Sequence, residues 1–234
     1  MELERYSKRY VHYYSQELPY FIEDIFKEYN IKSIIDLGSG DGSILYALFR
    51  KGYLEPGKEV IAVDASSERI NNVKNINNNI RCIVSDVCNL DMLSEQSLDL
   101  AISSQVIEHV DSERDFIKEV SRIVNKGGLF YLSTVFKKWY GWYFYRCNGY
   151  WRLDPTHLRE YTNKKQLLDL LKEYNFQVLK DKLSLQWFAI SDFIFKRIGL
   201  GRSIYNNRLT KYIRKIKVPI PGYYNWELVL KKIS

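Results

Sequence analysis

Residues 34–44 read IIDLGSGDGSI, in which an apolar run meets an aspartate and then three glycines within five residues. Gly38, Gly40 and Gly42 follow a segment that is apolar enough to form a buried strand. Missing Cβ atoms let the chain turn tightly and let ligand atoms approach the backbone. In an open parallel sheet, ligands bind outside the carboxyl ends of the strands. The stretch therefore predicts a nucleotide or nucleoside site directly after the first strand.

Short apolar segments alternate with amphipathic helical segments along most of the chain. Strands are predicted at 32–36, 59–64, 79–84, 98–103 and 128–133, with helices at 42–50, 66–76 and 112–125 between them. A helix at 163–173 and strands at 175–183 and 223–232 follow. Strands that are apolar throughout and alternate with helices are typical of a parallel sheet covered on both faces. The predicted class is α/β.

The spacing of the glycines and the acids beside them narrows the choice of ligand. A dinucleotide fingerprint reads GxGxxG and sets a helix N-terminus against a pyrophosphate. Here the spacing is GxGxG, with Ser43 in place of the last glycine. Asp36 and Asp41 flank the turn, and two carboxylates would repel a pyrophosphate. They suit a ligand that carries an ammonium or a sulfonium.

Two further acids follow the next two predicted strands. Asp64 lies 22 residues after Gly42, where a carboxylate can accept both ribose hydroxyls, as it also would from NAD. Asp86 follows the third strand, where an acid can accept from the exocyclic amine of adenine, and a dinucleotide does not require one there. Acids after three successive strands therefore discriminate between the ligands better than the glycines do.

These motifs resemble those of the class I S-adenosylmethionine-dependent methyltransferases, in particular the small-molecule group that includes the ubiquinone-biosynthesis O-methyltransferases. The resemblance covers about residues 30–180 and rests on IIDLGSGDGS, AVDAS, SDV, SSQVIEHV at 103–110 and RIVNKGGLFYLST at 122–134. It implies a Rossmann-like, mostly parallel seven-stranded sheet with helices on both faces and an antiparallel last strand. It also implies S-adenosyl-L-methionine as methyl donor and S-adenosyl-L-homocysteine as product.

The resemblance assigns the cofactor-binding residues position by position. The methionine part would be held by Asp36, Gly38, Ser39 and Gly40, the ribose by Asp64, the adenine by Ala65, Asp86 and Val87, and the sulfonium end would be closed by Ser104 and Gln105. Taken singly, Asp64 also fits a turn at a strand end, Asp86 an ordinary loop acid and Asp36 a cap. The assignment therefore depends on the set.

Two histidines are the candidate catalytic residues. Methyl transfer requires an aligned nucleophile in a dry pocket and, for a hydroxyl acceptor, removal of a proton. The segment DPTHLREYT at 154–162 resembles the one such enzymes place over the substrate, and its His157 is the first candidate for the general base. His109, in IEHV, is the second. The alternatives are a turn residue for His157 and, for His109, a residue that packs beneath the cofactor and orients Glu108. No metal site is predicted.

Several absences narrow the acceptor. Enzymes that methylate DNA amino groups or protein glutamine need Asn or Asp, Pro-Pro and an aromatic after the fourth strand, where this chain reads SSQVIE. No cysteine follows a proline, as cytosine-C5 enzymes require. A small hydroxyl, amine or carbon acceptor is therefore expected. Residues 136–151 carry nine aromatics in sixteen positions, which predicts a pocket wall for a flat or greasy acceptor or a structural cover over the sheet.

The C-terminal fifth of the chain carries its excess of positive charge. The net charge is +7, and residues 187–234 hold ten of the 35 bases but only two of the 28 acids. We predict one domain, with a helical cap at 1–29, a core at 30–183, an insert at 184–222 and a final strand at 223–234. The basic amphipathic segment 187–218 predicts either a lid or a membrane-surface element. Alternatives are RNA methylation that uses these bases, which we favour less, and a non-catalytic partner subunit.

The remaining features concern the cellular compartment. Cys82, Cys88 and Cys147 lack metal-ligand spacing and predict free thiols in a reducing environment. The N-terminus is too charged for a signal peptide, and no apolar run is long enough to span a bilayer. We expect a cytoplasmic protein, peripheral to the membrane if 187–218 docks there, with a small-molecule or lipid-like acceptor as its partner.

Overall fold

The structure is a computed structural model that describes residues 16–147, 149–189, 191, 212–213 and 216–233. Within these residues the helices are α1 (Ile22–Glu28), α2 (Ser43–Arg50), α3 (Ser67–Lys74), α4 (Glu113–Ile123) and α5 (Lys164–Glu173). The strands are β1 (Ser33–Leu37), β2 (Glu59–Asp64), β3 (Ile80–Val84), β4 (Leu98–Ser104), β5 (Val124–Lys137), β6 (Tyr145–Cys147), β7 (Tyr150–Arg152), β8 (Phe176–Ala189) and β9 (Lys217–Lys232).

One seven-stranded sheet organises the molecule, in the order β3–β2–β1–β4–β5–β9–β8. Strands β1 to β5 pair with one another in parallel. Strand β9 runs antiparallel to both β5 and β8. The predicted α/β fold, a mostly parallel seven-stranded sheet whose last strand is antiparallel, is confirmed. Strands β6 and β7 form a separate hairpin.

Helices cover both faces of this sheet, which explains why its central strands are apolar throughout. On one face, α1, α2 and α3 bury residues such as Ile25, Leu48 and Val73 against the sheet. On the other face, α4 and α5 bury residues such as Phe116 and Leu171. Each such side chain contributes roughly 1.5–3 kcal/mol when it leaves water. The two layers hold the strand ends that carry the predicted site.

The last two strands are longer than the sequence predicts. Strand β8 continues to Ala189, and β9 begins at Lys217, with Trp187 paired to Pro219. The prediction of an irregular insert is therefore wrong at 184–189 and 217–222. Local pattern missed this because Pro219 and Pro221 suggest a loop. Here β9 pairs with β8 alone, since its pairing with β5 stops at Tyr223, and an edge of this kind tolerates proline.

Parts of two predicted segments lie outside the described residues. These are positions 1–15 of the helical cap, and positions 190, 192–211 and 214–215 of the basic segment 187–218. Within the part of the chain that is described, no helix is both long and apolar enough to cross a membrane.

The aromatic segment 136–151 completes β5 and forms the first strand of the β6–β7 hairpin. Tyr143 packs against the rings of Phe188 and Tyr223, as a structural cover would. Trp139, by contrast, is 92% exposed. The segment therefore divides into residues that cover the sheet and residues that face solvent.

Candidate active site

The carboxyl ends of the parallel strands bring the predicted cofactor residues to one edge of the sheet. Leu37, the last residue of β1, pairs with Val63 of β2 and with Ser103 of β4. Asp64, the last residue of β2, pairs with Val84 at the end of β3. Loops that leave these strands therefore start side by side, although they are far apart in the chain.

Asp36 is a buried carboxylate at this edge. It is 2% exposed, and its Oδ2 makes no hydrogen bond in the structure. Burial, with a smaller contribution from the charge of Asp64, raises the pKa of Asp36 to about 7. A carboxylate in this environment gains most from a cation that also donates hydrogen bonds, because the cation offsets the cost of burying the charge.

The glycine loop is shaped for close approach to the backbone. Gly38 has φ +67°, and a Cβ there would lie 2.5 Å from Cγ2 of Val106, so a side chain would collide with the loop after β4. Gly40 has φ +55°, and a Cβ there would meet nothing within 4 Å. Ser39, between them, is buried and its hydroxyl makes no hydrogen bond. The loop therefore offers an unpartnered polar group beside open space.

Asp64 organises this loop from the end of β2. Its Oδ2 accepts a hydrogen bond of 2.9 Å from the N–H of Gly40, and its Oδ1 accepts one of 2.9 Å from the N–H of Ser66. Asp64 therefore does stabilise the turn at the end of β2, which was the alternative to a binding role that the sequence left open. Each carboxylate oxygen has a second lone pair, so Asp64 can still accept from a diol. Ala65 is exposed beside it.

The loop after β3 continues the same edge. The N–H of Ser85 donates to the carbonyl of Asp64 at 3.2 Å. Asp86 is exposed, and its Oδ1 accepts from the N–H of Cys88 at 2.9 Å. Val87 is buried in the core. The loop therefore places an exposed carboxylate next to an apolar residue that packs into the core.

Ser104, the last residue of β4, and Gln105, which follows it, belong to a network of polar side chains. Gln105 has φ +58°, a conformation that costs energy for a residue with a side chain. Its N–H donates to the carbonyl of Ser133 at 2.9 Å, and its Nε2 donates to Oδ1 of Asn225 at 3.0 Å. The hydroxyls of Ser104 and Ser133 are 3.0 Å apart. The strained turn is therefore held by bonds to β5 and β9.

Glu227 extends this network and was missed by the sequence analysis. Nδ2 of Asn225 donates to Oε1 of Glu227 at 2.8 Å, while Oε2 is buried and makes no hydrogen bond. Burial raises the pKa of Glu227. An acid in an apolar strand such as β9 was the available signal. A second acceptor group therefore lies beneath the carboxyl edge, next to Ser133, with which Glu227 pairs.

The hydrogen-bond acceptors around the glycine loop fit S-adenosylmethionine. Asp36 and Ser39 supply unpartnered acceptors for an ammonium, Asp64 retains lone pairs for a diol, and Asp86 lies where an adenine amine would be read. Three acids at this edge suit a cationic ligand better than a pyrophosphate.

A second polar cluster lies on the α4–α5 side of the same edge. Glu108, His109 and His157 each bring one nitrogen or oxygen within 4.8 Å of the others. Glu108 is 0% exposed; Thr134 donates to its Oε2 at 2.9 Å, and its Oε1 makes no hydrogen bond. Burial raises the pKa of Glu108 to about 7. From the sequence, Glu108 was predicted only as a group that His109 orients, and its burial was not predicted.

The two histidines of the cluster differ in their environment. Burial, and then the charge of His157, lower the pKa of His109 to about 4, so His109 is neutral at pH 7. His157 is 6% exposed, and its Nδ1 lies 3.0 Å from Oε1 of Glu160. A carboxylate at Nδ1 holds the proton there and leaves Nε2 as the basic nitrogen. Glu160 was also missed, although its spacing from His157 is visible in DPTHLREYT.

Comparison with known proteins finds methyltransferases among the relatives of this chain. A family model described as "Methyltransferase domain" matches residues 35–132. The ubiquinone biosynthesis O-methyltransferase of Pelagibacter ubique (strain HTCC1062) is 26% identical over 211 residues, which are 83% of this chain and 84% of the relative. The malonyl-[acyl-carrier protein] O-methyltransferase of Marinomonas sp. (strain MWYL1) is 30% identical over 187 residues, which are 71% of this chain and 62% of the relative.

Solved structures share the fold at low sequence identity. A S-adenosylmethionine-dependent methyltransferase from Methanosarcina mazei has a TM-score of 0.63 at 16% identity, and the match covers 93% of this chain and 99% of that one. The [4+2]-cyclase SpnF has a TM-score of 0.61 at 16% identity, covering 89% and 78%. Because a cyclase shares the fold, the fold alone does not name the reaction.

Proposed function

The chain belongs to the class I S-adenosylmethionine-dependent methyltransferases, and we propose that it methylates a hydroxyl oxygen of a small or lipid-like acceptor. The observation that carries this proposal is the cluster of buried Glu108, buried His157 and half-buried His109 beside the cofactor edge. A hydroxyl must lose a proton as it is methylated, and this cluster offers a base that is oriented by a carboxylate. The relatives named above, both O-methyltransferases, support oxygen as the acceptor atom.

The strand-end acids would hold the methyl donor. Asp36, with Gly38, Ser39 and Gly40, would bind the amino-acid end, Asp64 the ribose, and Ala65, Asp86 and Val87 the adenine. Ser104 and Gln105 would close the site at the sulfonium. When bound, S-adenosylmethionine supplies a methyl group already activated by a positively charged sulfur, and S-adenosyl-L-homocysteine is the product. The chain itself therefore has to orient the acceptor and take up its proton.

His157 is the proposed general base. Its Nε2 would accept the proton of the acceptor hydroxyl, while Glu160 keeps Nδ1–H in place and stabilises the imidazolium that forms. Glu108 adds a second carboxylate near the ring. His109 would support His157 through the contact between their rings. Its pKa of about 4 keeps His109 neutral, so it does not repel a charged His157.

Two measurements test this function in sequence. Calorimetry with S-adenosylmethionine beside NADH should show binding of the first and none of the second; binding of NADH alone would refute the methyltransferase site. Transfer of labelled methyl is then measured over total cell lipid, small-molecule and RNA fractions. Label in the lipid or small-molecule fraction supports the proposal. Label in RNA alone would favour the RNA-modifying alternative, and donor binding without any transfer would favour a non-catalytic partner subunit.

We also propose a cytoplasmic protein that touches the membrane surface through residues 187–218. The support is the excess of bases in this segment; of its described residues, Tyr212 and Ile216 are 71% and 63% exposed. Basic residues beside exposed apolar ones favour anionic lipid. Flotation with anionic vesicles should show binding that is lost when residues 187–218 are deleted. Equal flotation of both forms would refute the membrane contact.

A further inference from the structure

The loop between β4 and α4 carries Glu108 and His109 but has no regular secondary structure of its own. Residues 105–112 form turns and bends. Backbone carbonyls in such a loop lack the partners that a strand or helix supplies, and they must find donors elsewhere. The position of Glu108 and His109 therefore depends on whatever binds these carbonyls.

The side chain of Arg159 supplies the missing donors. Its Nη1 donates to the carbonyls of Ile107 and Val110, both at 2.6 Å, and its Nη2 donates to the carbonyl of Asp111 at 2.9 Å. Nε lies 3.6 Å from Oε2 of Glu113, and the Arg159 side chain is 23% exposed. One planar guanidinium thus binds three carbonyls along the turn. A lysine ammonium does not reproduce this, because it lacks the planar fork of N–H donors.

Backbone bonds next to Arg159 extend the same attachment. The N–H groups of Leu158 and Arg159 donate to the carbonyl of Glu108 at 2.8 and 3.4 Å. The hydroxyl of Tyr161 donates to Oε2 of Glu113 at 2.6 Å. These bonds attach segment 154–162 to the β4–α4 loop and to the first residue of α4, and Arg159 makes most of them.

We propose that Arg159 is the positioning residue of the acceptor side of the site: it fixes segment 154–162 on the β4–α4 loop and so sets the His157 ring against His109. The importance of this role rests on the proposed function, in which His157 is the base. Arg159 contacts backbone carbonyls and Glu113, so it acts through the histidines. Its loss should change the geometry of the pair, whereas Asp36 on β1 is not among the groups that Arg159 contacts.

The histidine pair can be observed directly, without an acceptor and without methyl transfer. The chain contains three histidines, so protein labelled at the imidazole carbons gives three sets of ring signals, and His12→Gln assigns one set. In the wild-type protein we expect a nuclear Overhauser effect between the rings of His109 and His157, whose centroids are 4.8 Å apart. The same spectrum is then recorded for Arg159→Ala, Arg159→Lys and a control, Arg114→Ala, which removes an exposed arginine paired with Glu173.

The proposal requires loss of the inter-ring effect in Arg159→Ala and in Arg159→Lys, and its retention in Arg114→Ala. An unchanged effect in Arg159→Ala would overturn it, as would loss of the effect in the control, because the pair would then respond to any change on this side of the molecule. Should Arg159→Ala fail to fold, Arg159→Lys decides alone, because it keeps the charge and length of the side chain. None of these outcomes depends on whether methyl transfer is found, so failure of the proposed function is seen separately.

Discussion

The rings of His109 and His157 meet edge to face, with centroids 4.8 Å apart and planes inclined at 71°. One ring comes from the loop after β4 and the other from the segment that precedes α5. Nδ1 of His109 lies 3.3 Å from the carbonyl oxygen of Thr156, so the same segment also contacts the first histidine. Two candidate catalytic residues that are distant in sequence therefore form one unit, beside the buried carboxylate of Glu108.

His157→Ala should lower methyl transfer strongly and leave donor binding nearly unchanged. Loss of a general base typically costs roughly 10²–10⁴-fold in rate, while His157 is not among the residues proposed to hold the donor. Turnover is measured with the labelled-methyl assay, and binding of S-adenosylhomocysteine by calorimetry on the same preparation. Equal turnover of the variant and the wild-type protein would remove His157 from the mechanism.

Glu108→Gln should remove a pH dependence from the reaction. The pKa of Glu108 is raised to about 7 by burial, so this group gains its charge as pH rises through 7 and then stabilises a protonated His157. The wild-type rate should rise between pH 6 and 8, and the variant should be slower with a flatter profile. Thr134→Val is the matched control, because it removes the hydrogen bond to Oε2 and keeps the carboxylate. A profile in Glu108→Gln identical to the wild type would contradict this role.

Asp36→Asn should stabilise the fold at alkaline pH and weaken donor binding. The pKa of Asp36 is raised from 3.8 to about 7, so its folded state favours the protonated form, and stability is lost as pH rises from about 4 through 7. After allowing for the unpartnered amide, the variant should gain roughly 1–3 kcal/mol in the free energy of unfolding at pH 8. Urea unfolding at pH 5 and pH 8 measures this.

The same variant should bind S-adenosylhomocysteine roughly 10–100-fold more weakly, because the ligand ammonium loses a charge-assisted bond. Asp99→Asn serves as a control, since Asp99 accepts from the N–H groups of Lys32 and Ser33 at the opposite end of the strands. Unchanged affinity in Asp36→Asn would show that this carboxylate does not bind the amino-acid end.

Gly38→Ala and Gly40→Ala should separate the cost of positive φ from the cost of a collision with Val106. Both positions have positive φ, which costs an alanine roughly 1–2 kcal/mol. At Gly38 the new Cβ would also lie 2.5 Å from Val106, whereas at Gly40 it meets nothing within 4 Å. Thermal unfolding should therefore show the greater loss for Gly38→Ala, with partial recovery in the double variant Gly38→Ala/Val106→Ala. Equal losses at both positions would argue that Val106 moves freely.

Much of the fold follows from patterns that are local in the sequence. Strands that are apolar on both faces, helices with one apolar side, and glycines at strand ends are each set by neighbouring residues, so they predicted β1 to β5 and the order of the helices. The acids at 36, 64 and 86 could be assigned to one edge because parallel strands place their carboxyl ends together. That reasoning requires no knowledge of side-chain contacts.

The proton-accepting half of the site was only partly predictable. His109 and His157 were visible as candidates, but Glu108 as an acid with an unpartnered oxygen and Glu160 as the partner of His157 were not. The same holds at the cofactor edge for Glu227, which is linked to Gln105 through Asn225. Their roles depend on burial and on neighbours from other elements. The sequence does not show whether a carboxylate is solvated or buried.

The sequence by itself determined the alternation of strands and helices, the glycine turn and the acids that follow successive strands, because each depends on residues adjacent in the chain. Tertiary structure alone decided that β8 and β9 extend into the predicted insert, and that Arg159 joins segment 154–162 to the loop after β4. Both depend on pairing between distant segments, whose register is set by the packed sheet as a whole, so local pattern carries no record of them.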